Sequence, residues 1–212
     1  MMEPLAEHTG RGVCLRRDDV DTDQILPSQY CKRLTKSGYA DALFAGWRED
    51  PEFVLNRPGN AGASILVAAA NFGTGSSREH AVWGLRDWGF VVVIATSFGD
   101  IFRRNALKNG LLAVELPESV VSRLAALIDA DPATTITVDL SAMEVRAAGN
   151  SHPFTVDERA RWLLLNGLDE IAVTLDKHDA IQAYENDRRP WLPQLVPTAS
   201  QPVPGLSEGA GS

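Results

Sequence analysis

The run from Asn71 to Ala81 reads NFGTGSSREHA and gathers the chain's most chemically capable residues. Ser76 and Ser77 offer two hydroxyls, and Arg78 adds a planar, permanently charged fork that can hold a carboxylate through two hydrogen bonds. An apolar run of strand length, SILVAAA, lies just upstream; downstream, Ala81, Val82, Leu85 and Trp88 follow a helical period. A glycine-bearing loop therefore joins a buried strand to a helix, where unpaired backbone N–H groups favour an anion. Ser76 followed three residues later by Glu79 has the spacing of a capping box, which marks the helix start. A cap alone stabilises by roughly 0.5–2 kcal/mol and implies no ligand. It is the combination of glycine pair, double serine, arginine and strand end that points to an anion-binding loop, at the usual ligand position of an open α/β sheet. The local pattern does not say which anion.

The elements that must position this loop follow from Ser64 onward. SILVAAA is a strand, 76–88 a helix, and FVVVIAT (90–96) a fully buried strand. Asp100 is placed to cap a helix running through Lys108, with Gly110 just past its end. LLAVEL (111–116) is the next strand, stopped by Pro117, and 118–130 is a helix with Val120, Val121, Leu124 and Ile128 on one face. This alternation implies a small parallel sheet with right-handed crossovers. TTITVDL and MEVRA (134–147) alternate as a hairpin; helices are expected over 157–166, stopped at Gly167, and over 176–185. The first ten residues read as frayed and Val13–Arg16 as a short strand. Four aspartates (Asp18, Asp19, Asp21, Asp23) follow; they lack the glycine and closing glutamate of a calcium loop, and a turn with side chains bonded to local backbone is expected instead. Residues 32–62 mix glycine, aromatics and charge without a period, the pattern of a long, partly mobile loop that could act as a lid.

Composition narrows the function classes. The chain has 212 residues, 44% of them hydrophobic, enough to bury the core of one domain. A formal net charge of −8 argues against nucleic acid and anionic membrane as partners. The first residues, MMEPLAEHTG, have no apolar signal core, and a cytoplasmic location is expected. Cys14 and Cys31, the only cysteines, fit neither a disulfide framework nor a CxxC site, and two thiols cannot hold an iron–sulfur cluster. The four histidines (His8, His80, His152, His178) show no ligand spacing, so no metal site is expected in this chain. From Pro190 onward the composition turns to Pro, Gly, Ser and Gln. The expected division is a domain over 1–192 and a disordered tail over 193–212.

HTGRGVCL, DDVDTDQILPSQY, NFGTGSSREHAVWGL, WGFVVVIATSFGDIFRRNALKNGLL and FTVDERARWLLLNGLDEIAVTLDKHDAIQAYE, in that order, resemble the small subunits of bacterial 3-isopropylmalate dehydratase, in the aconitase superfamily. The resemblance spans roughly residues 8–192. It implies an α/β fold, a swivelling β/β/α domain with a small parallel sheet flanked by helices plus C-terminal helices. It also implies a partner, a separate large subunit that holds a [4Fe–4S] cluster, with no cofactor on this chain. Ser76 then matches the family's catalytic serine base, and Ser77 and Arg78 match the groups that hold a small dicarboxylate substrate. Asp23 matches an active-site aspartate, and Arg33, or its neighbour Lys32, a substrate-binding arginine. Leu34, Tyr39, Leu43 and Phe44 would give an apolar surface to read the substrate's side chain. Thr74 departs from the pattern, since many such subunits carry cysteine there. A related dehydratase acting on a methylmalate, dimethylmalate or homoaconitate, and a stand-alone anion-binding module, remain alternatives. The absence of a Gly-Lys-Ser/Thr P-loop and of a GxGxxG fingerprint counts against the module.

Overall fold

The computed structural model of the chain describes residues 2–75 and 78–189. Seven strands, β1 (Glu7–Leu15), β2 (Ile65–Ala68), β3 (Val92–Ala95), β4 (Leu112–Glu115), β5 (Thr135–Asp139), β6 (Glu144–Ala147) and β7 (Asn150–Pro153), form one sheet in the order β4-β3-β2-β1-β5-β6-β7. The first four are parallel and the last three run antiparallel. The expected parallel sheet is present, with a meander on its far side.

Helices α1 (Thr22–Ile25), α2 (Glu79–Trp88), α3 (Asp100–Lys108), α4 (Glu118–Ala130), α5 (Glu158–Asn166) and α6 (Glu170–Leu175) follow in chain order. The chain divides into two units, Met1–Val173 and Thr174–Ser212; the second contains α7 (His178–Asn186), close to the helix expected over 176–185. The proposed tail, 193–212, lies outside the described residues. Among the described residues no helix is long and apolar enough to cross a membrane.

Register explains why the parallel strands read as continuous apolar runs. Val13, Leu66, Val93 and Ala113 align across the sheet and pack into one core, with α2 and the 39–55 segment. The next row, Cys14, Val67, Ile94 and Val114, faces the opposite core with α4. Both faces are covered, so both sets of side chains must be apolar.

Two expectations are corrected here. The N-terminus is not frayed. β1 runs nine residues because Glu7–Arg11 pair antiparallel with β5 while Gly12–Leu15 pair parallel with β2. Met2 N–H and Leu5 N–H donate to the carbonyls of Gly167 and Leu164 at 3.0 and 2.9 Å. The 32–62 segment is not a lid. It folds as short 3-10 turns, at 47–49, 54–56 and 58–60, whose aromatic residues belong to the core. Tyr39, Leu43 and Phe44 are fully buried, so three of the four residues expected to form an apolar reading surface are unavailable; Leu34 alone is fully exposed. Phe44 stacks on Trp47 with centroids 5.4 Å apart, and its N–H donates to Ile25 O at 2.7 Å.

This burial predicts opposite outcomes at two apolar residues of the same segment. Phe44→Ala should lower unfolding free energy by about 3–5 kcal/mol, as for other buried phenylalanines. Leu34→Ala should be close to neutral. Chemical denaturation of both variants checks this, and a tolerated Phe44→Ala would return the segment to the status of a loose loop.

Candidate active site

Loops leaving β1, β2 and β3 at their carboxyl ends are stitched to one another by backbone. Val20 O accepts from Gly73 N–H at 2.7 Å and Thr74 N–H at 3.2 Å, and Thr22 N–H donates to Thr74 O at 3.0 Å. Asp19 N–H donates to Ala70 O at 3.0 Å, while the Asp18 carboxylate accepts from Ala70 N–H at 2.8 Å. On the other side, Phe72 N–H donates to Ser97 O and Gly99 N–H to Phe72 O, at 3.0 and 2.9 Å. The aspartate-rich turn thus uses its side chains locally, as expected, and also clasps the glycine loop. Gly73 has φ +77°, and a Cβ there would run into the Phe102 ring beneath it, so the loop can lie flat only on glycine. Thr74, the departure from the family pattern, contributes backbone groups to the clasp, which a change of side chain leaves intact.

The clasp brings Asp23 to Arg78. Asp21 caps the short α1: its carboxylate accepts Gln24 N–H at 2.7 Å and Gln24 Oε1 accepts Asp21 N–H at 2.9 Å, a complete capping box. Asp23 projects from that first turn and forms an ion pair with Arg78. The hydrogen bond that Arg78 donates to Asp23 pushes the guanidinium above its ordinary range. A capping box was expected at Ser76 and Glu79; Ser76 lies outside the described residues, and α2 begins only at Glu79. Arg78 is extended (φ −135°, ψ 114°) and sits at the cap position, making Glu79 the first helical residue rather than the third. Glu79 instead accepts from Asn109 Nδ2 at 3.1 Å. Asp100 likewise begins α3 instead of capping it.

Arg78, Glu79, His80, Cys31 and Asn105 line an open depression of about 510 Å³ beside this pair, within the size range of small-molecule sites. Of the residues expected at the site, Asp23 and Arg78 are brought together. Ser76 and Ser77 lie outside the described residues. Arg33 is engaged elsewhere: its guanidinium makes a two-pronged bond to Asp41 at 2.8 and 2.7 Å, with Tyr30 and Tyr39 rings 5.1 and 5.5 Å away. That bond raises the Arg33 guanidinium above its ordinary range and lowers the Asp41 carboxyl below its own. Asn105 was missed by sequence reasoning. The available signal was a second asparagine four residues on, at the C-cap of α3 and one turn beyond Asn105.

Among the described residues the two cysteines do not fit an iron–sulfur cluster. Cys14 packs against one core and Cys31 against the other, on opposite faces of the sheet. Burial pushes the Cys14 thiol up to about 11, away from the thiolate a cluster requires. Among the described residues no three His, Cys, Asp or Glu side chains converge as metal ligands.

Residues 2–119 match the Aconitase C-terminal domain family, and residues 122–158 match LeuD_N. The chain is 60% identical over 192 residues to the 3-isopropylmalate dehydratase small subunit of Acidothermus cellulolyticus, covering 91% of this chain and 98% of the relative. The small subunit of the same name from Streptomyces coelicolor is 55% identical over 195 residues, covering 92% and 99%. The solved structure of 3-isopropylmalate dehydratase from Methanocaldococcus jannaschii superposes with a TM-score of 0.63 at 28% identity, covering 84% of this chain and 99% of that one.

The state of Cys14 can be checked chemically. With its pKa near 11, about one Cys14 in a thousand is thiolate at pH 8. Iodoacetamide at that pH should leave Cys14 unmodified in the native chain and modify it once the chain is unfolded. Mass spectrometry of the labelled peptides reads the result, and rapid native labelling would contradict the burial.

Proposed function

The chain belongs to the family of 3-isopropylmalate dehydratase small subunits, and from that premise we propose that it is one half of a two-chain hydro-lyase. The reaction interconverts 2-isopropylmalate and 3-isopropylmalate, a step of leucine biosynthesis. Water is removed from adjacent carbons, one losing hydrogen and the other hydroxyl, and returns with the two positions exchanged. The partner is a large subunit that carries a [4Fe–4S] cluster, and the complex is cytoplasmic. Residues 1–192 are the working domain and 193–212 a tail.

The observation that carries this reading is the Asp23–Arg78 pair at the carboxyl ends of the parallel strands, at the mouth of an open depression. Arg78 supplies a fixed, two-pronged donor for a substrate carboxylate, and Ser77 a hydroxyl beside it. Ser76 is the base that takes the proton from carbon. A serine alkoxide is a strong enough base for a carbon acid but is scarcely populated at neutral pH. The adjacent guanidinium and the dipole of the ten-residue α2 both favour the anion. Asp23 holds Arg78 in place until substrate arrives. Arg33 would bind substrate by exchanging Asp41 for a substrate carboxylate.

Arg78→Lys keeps the charge but loses the fork, so kcat/KM of the reconstituted complex should fall by about one to two orders of magnitude. The melting temperature should stay unchanged, because Arg78 lies at the surface end of the helix. Ser76→Ala should assemble with the large subunit and turn over nothing. Intact kcat/KM in Arg78→Lys would remove the substrate from this helix end, and an active Ser76→Ala would remove the base.

A further inference from the structure

We propose that Asn105 is a substrate-binding residue, its carboxamide bonding to an oxygen of the dicarboxylate that Arg78 holds. The inference rests on the dehydratase reading above and extends it to a residue on a different helix.

Asn105 stands on α3 and Asn109 caps its C-terminus one turn further on, and their situations contrast. Asn109 is fully spent inside the chain. Its Oδ1 accepts from Trp83 Nε1 at 3.0 Å, and its Nδ2 donates to Glu79 Oε1 at 3.1 Å and to Asn105 O at 2.9 Å. Asn109 is therefore the clamp that ties α2 to α3. The Asn105 carboxamide, by contrast, has no hydrogen-bond partner among the described residues. It is half-buried and lines the same depression as Arg78. A half-buried carboxamide brings two donors and an acceptor, and those of Asn105 are committed to no described residue and so are available to a ligand.

The other lining residues are less suited to this work. Glu79 is tethered to Asn109 and repels an anion. The His80 ring packs edge-on to Tyr39 at 5.6 Å and against Trp83 at 4.7 Å. The Cys31 thiol is a weak donor. Asn105 thus brings two neutral N–H donors to the depression, and Arg78 its cation. An arginine alone fixes where a carboxylate binds. A carboxamide on a second helix adds a contact in another direction and so fixes the orientation of the carbon chain.

The test uses the complex with the large subunit, assayed on 2-isopropylmalate, with thermal melts and co-elution as checks on folding and assembly. Asn105→Ala should raise KM about 10- to 100-fold, the loss expected for one hydrogen bond to a charged group, with kcat little changed. Asn105→Asp keeps the shape but sets a negative charge against the substrate, so its KM should rise further than that of Asn105→Ala. A merely structural role gives the reverse order, with the isosteric Asp tolerated and Ala losing stability or assembly. Asn109→Ala is the reference for that structural pattern. Unchanged KM in both Asn105 variants, or a loss confined to melting temperature or assembly, would overturn the inference while wild-type turnover upholds the dehydratase reading. No turnover by the wild-type complex would overturn both.

Discussion

Loops that leave neighbouring parallel strands have no intrinsic reason to stay together once the ladder ends, and here a backbone clasp takes over where the ladder stops. The carbonyl of Val20 receives the N–H groups of Gly73 and Thr74, and Thr74 returns its own carbonyl to Thr22 N–H. These bonds extend the β1–β2 pairing past the strands and hold α1 and the start of α2 against each other. Phe72, Phe98 and Phe102 form the floor, with ring centroids 5.3–6.4 Å apart. Because the clasp is made of backbone, it constrains side chains only where they would obstruct it. That is why Gly73 is restricted and Thr74 is not.

The parallel half of the sheet was legible in the sequence because both its faces are buried, so that β2, β3 and β4 appear as unbroken apolar runs. β1 was shortened in that reading for a physical reason. Its first residues, Glu7 to Arg11, pair with a meander that leaves one face wet, and their side chains are mostly polar. β7 was missed because Asn150–Pro153 has no apolar alternation; its register comes instead from the tight Ala148–Gly149 turn, both residues with positive φ. The 32–62 segment hid its role differently. Its turns are too short to show a period, yet Tyr39, Phe44 and Phe53 anchor it in the core through ring contacts no periodicity rule detects.

At the site, residue type and strand-end position were enough to single out Arg78 and Asp23, which are 55 residues apart in the chain. What could not be read was their mutual pairing, nor which residues of the intervening loops face the depression. Asn105 and Cys31 come from elements whose helical or turn pattern says only that one face is exposed. Arg33 shows the complementary limit. Its type fits substrate binding, but its bond to Asp41 arises from the chain folding back over eight residues, which a motif cannot reveal.

The Asp23–Arg78 pair also bears on how a ligand would enter. Arg78 is a quarter exposed and Asp23 about half exposed, so the pair contributes little to stability. Its consequence is geometric. Asp23 is itself a carboxylate, fixed by the capped turn of α1, and it keeps the guanidinium from taking other rotamers. A substrate carboxylate that displaces it exchanges one carboxylate for another, with almost no net change in charge pairing at Arg78. The Arg78 contact therefore costs little ordering entropy, and it is offered alike to every dicarboxylate. Discrimination among dicarboxylates must then come from groups that have no partner before the ligand arrives, and the Asn105 carboxamide, with two N–H donors and no partner among the described residues, is such a group at the depression.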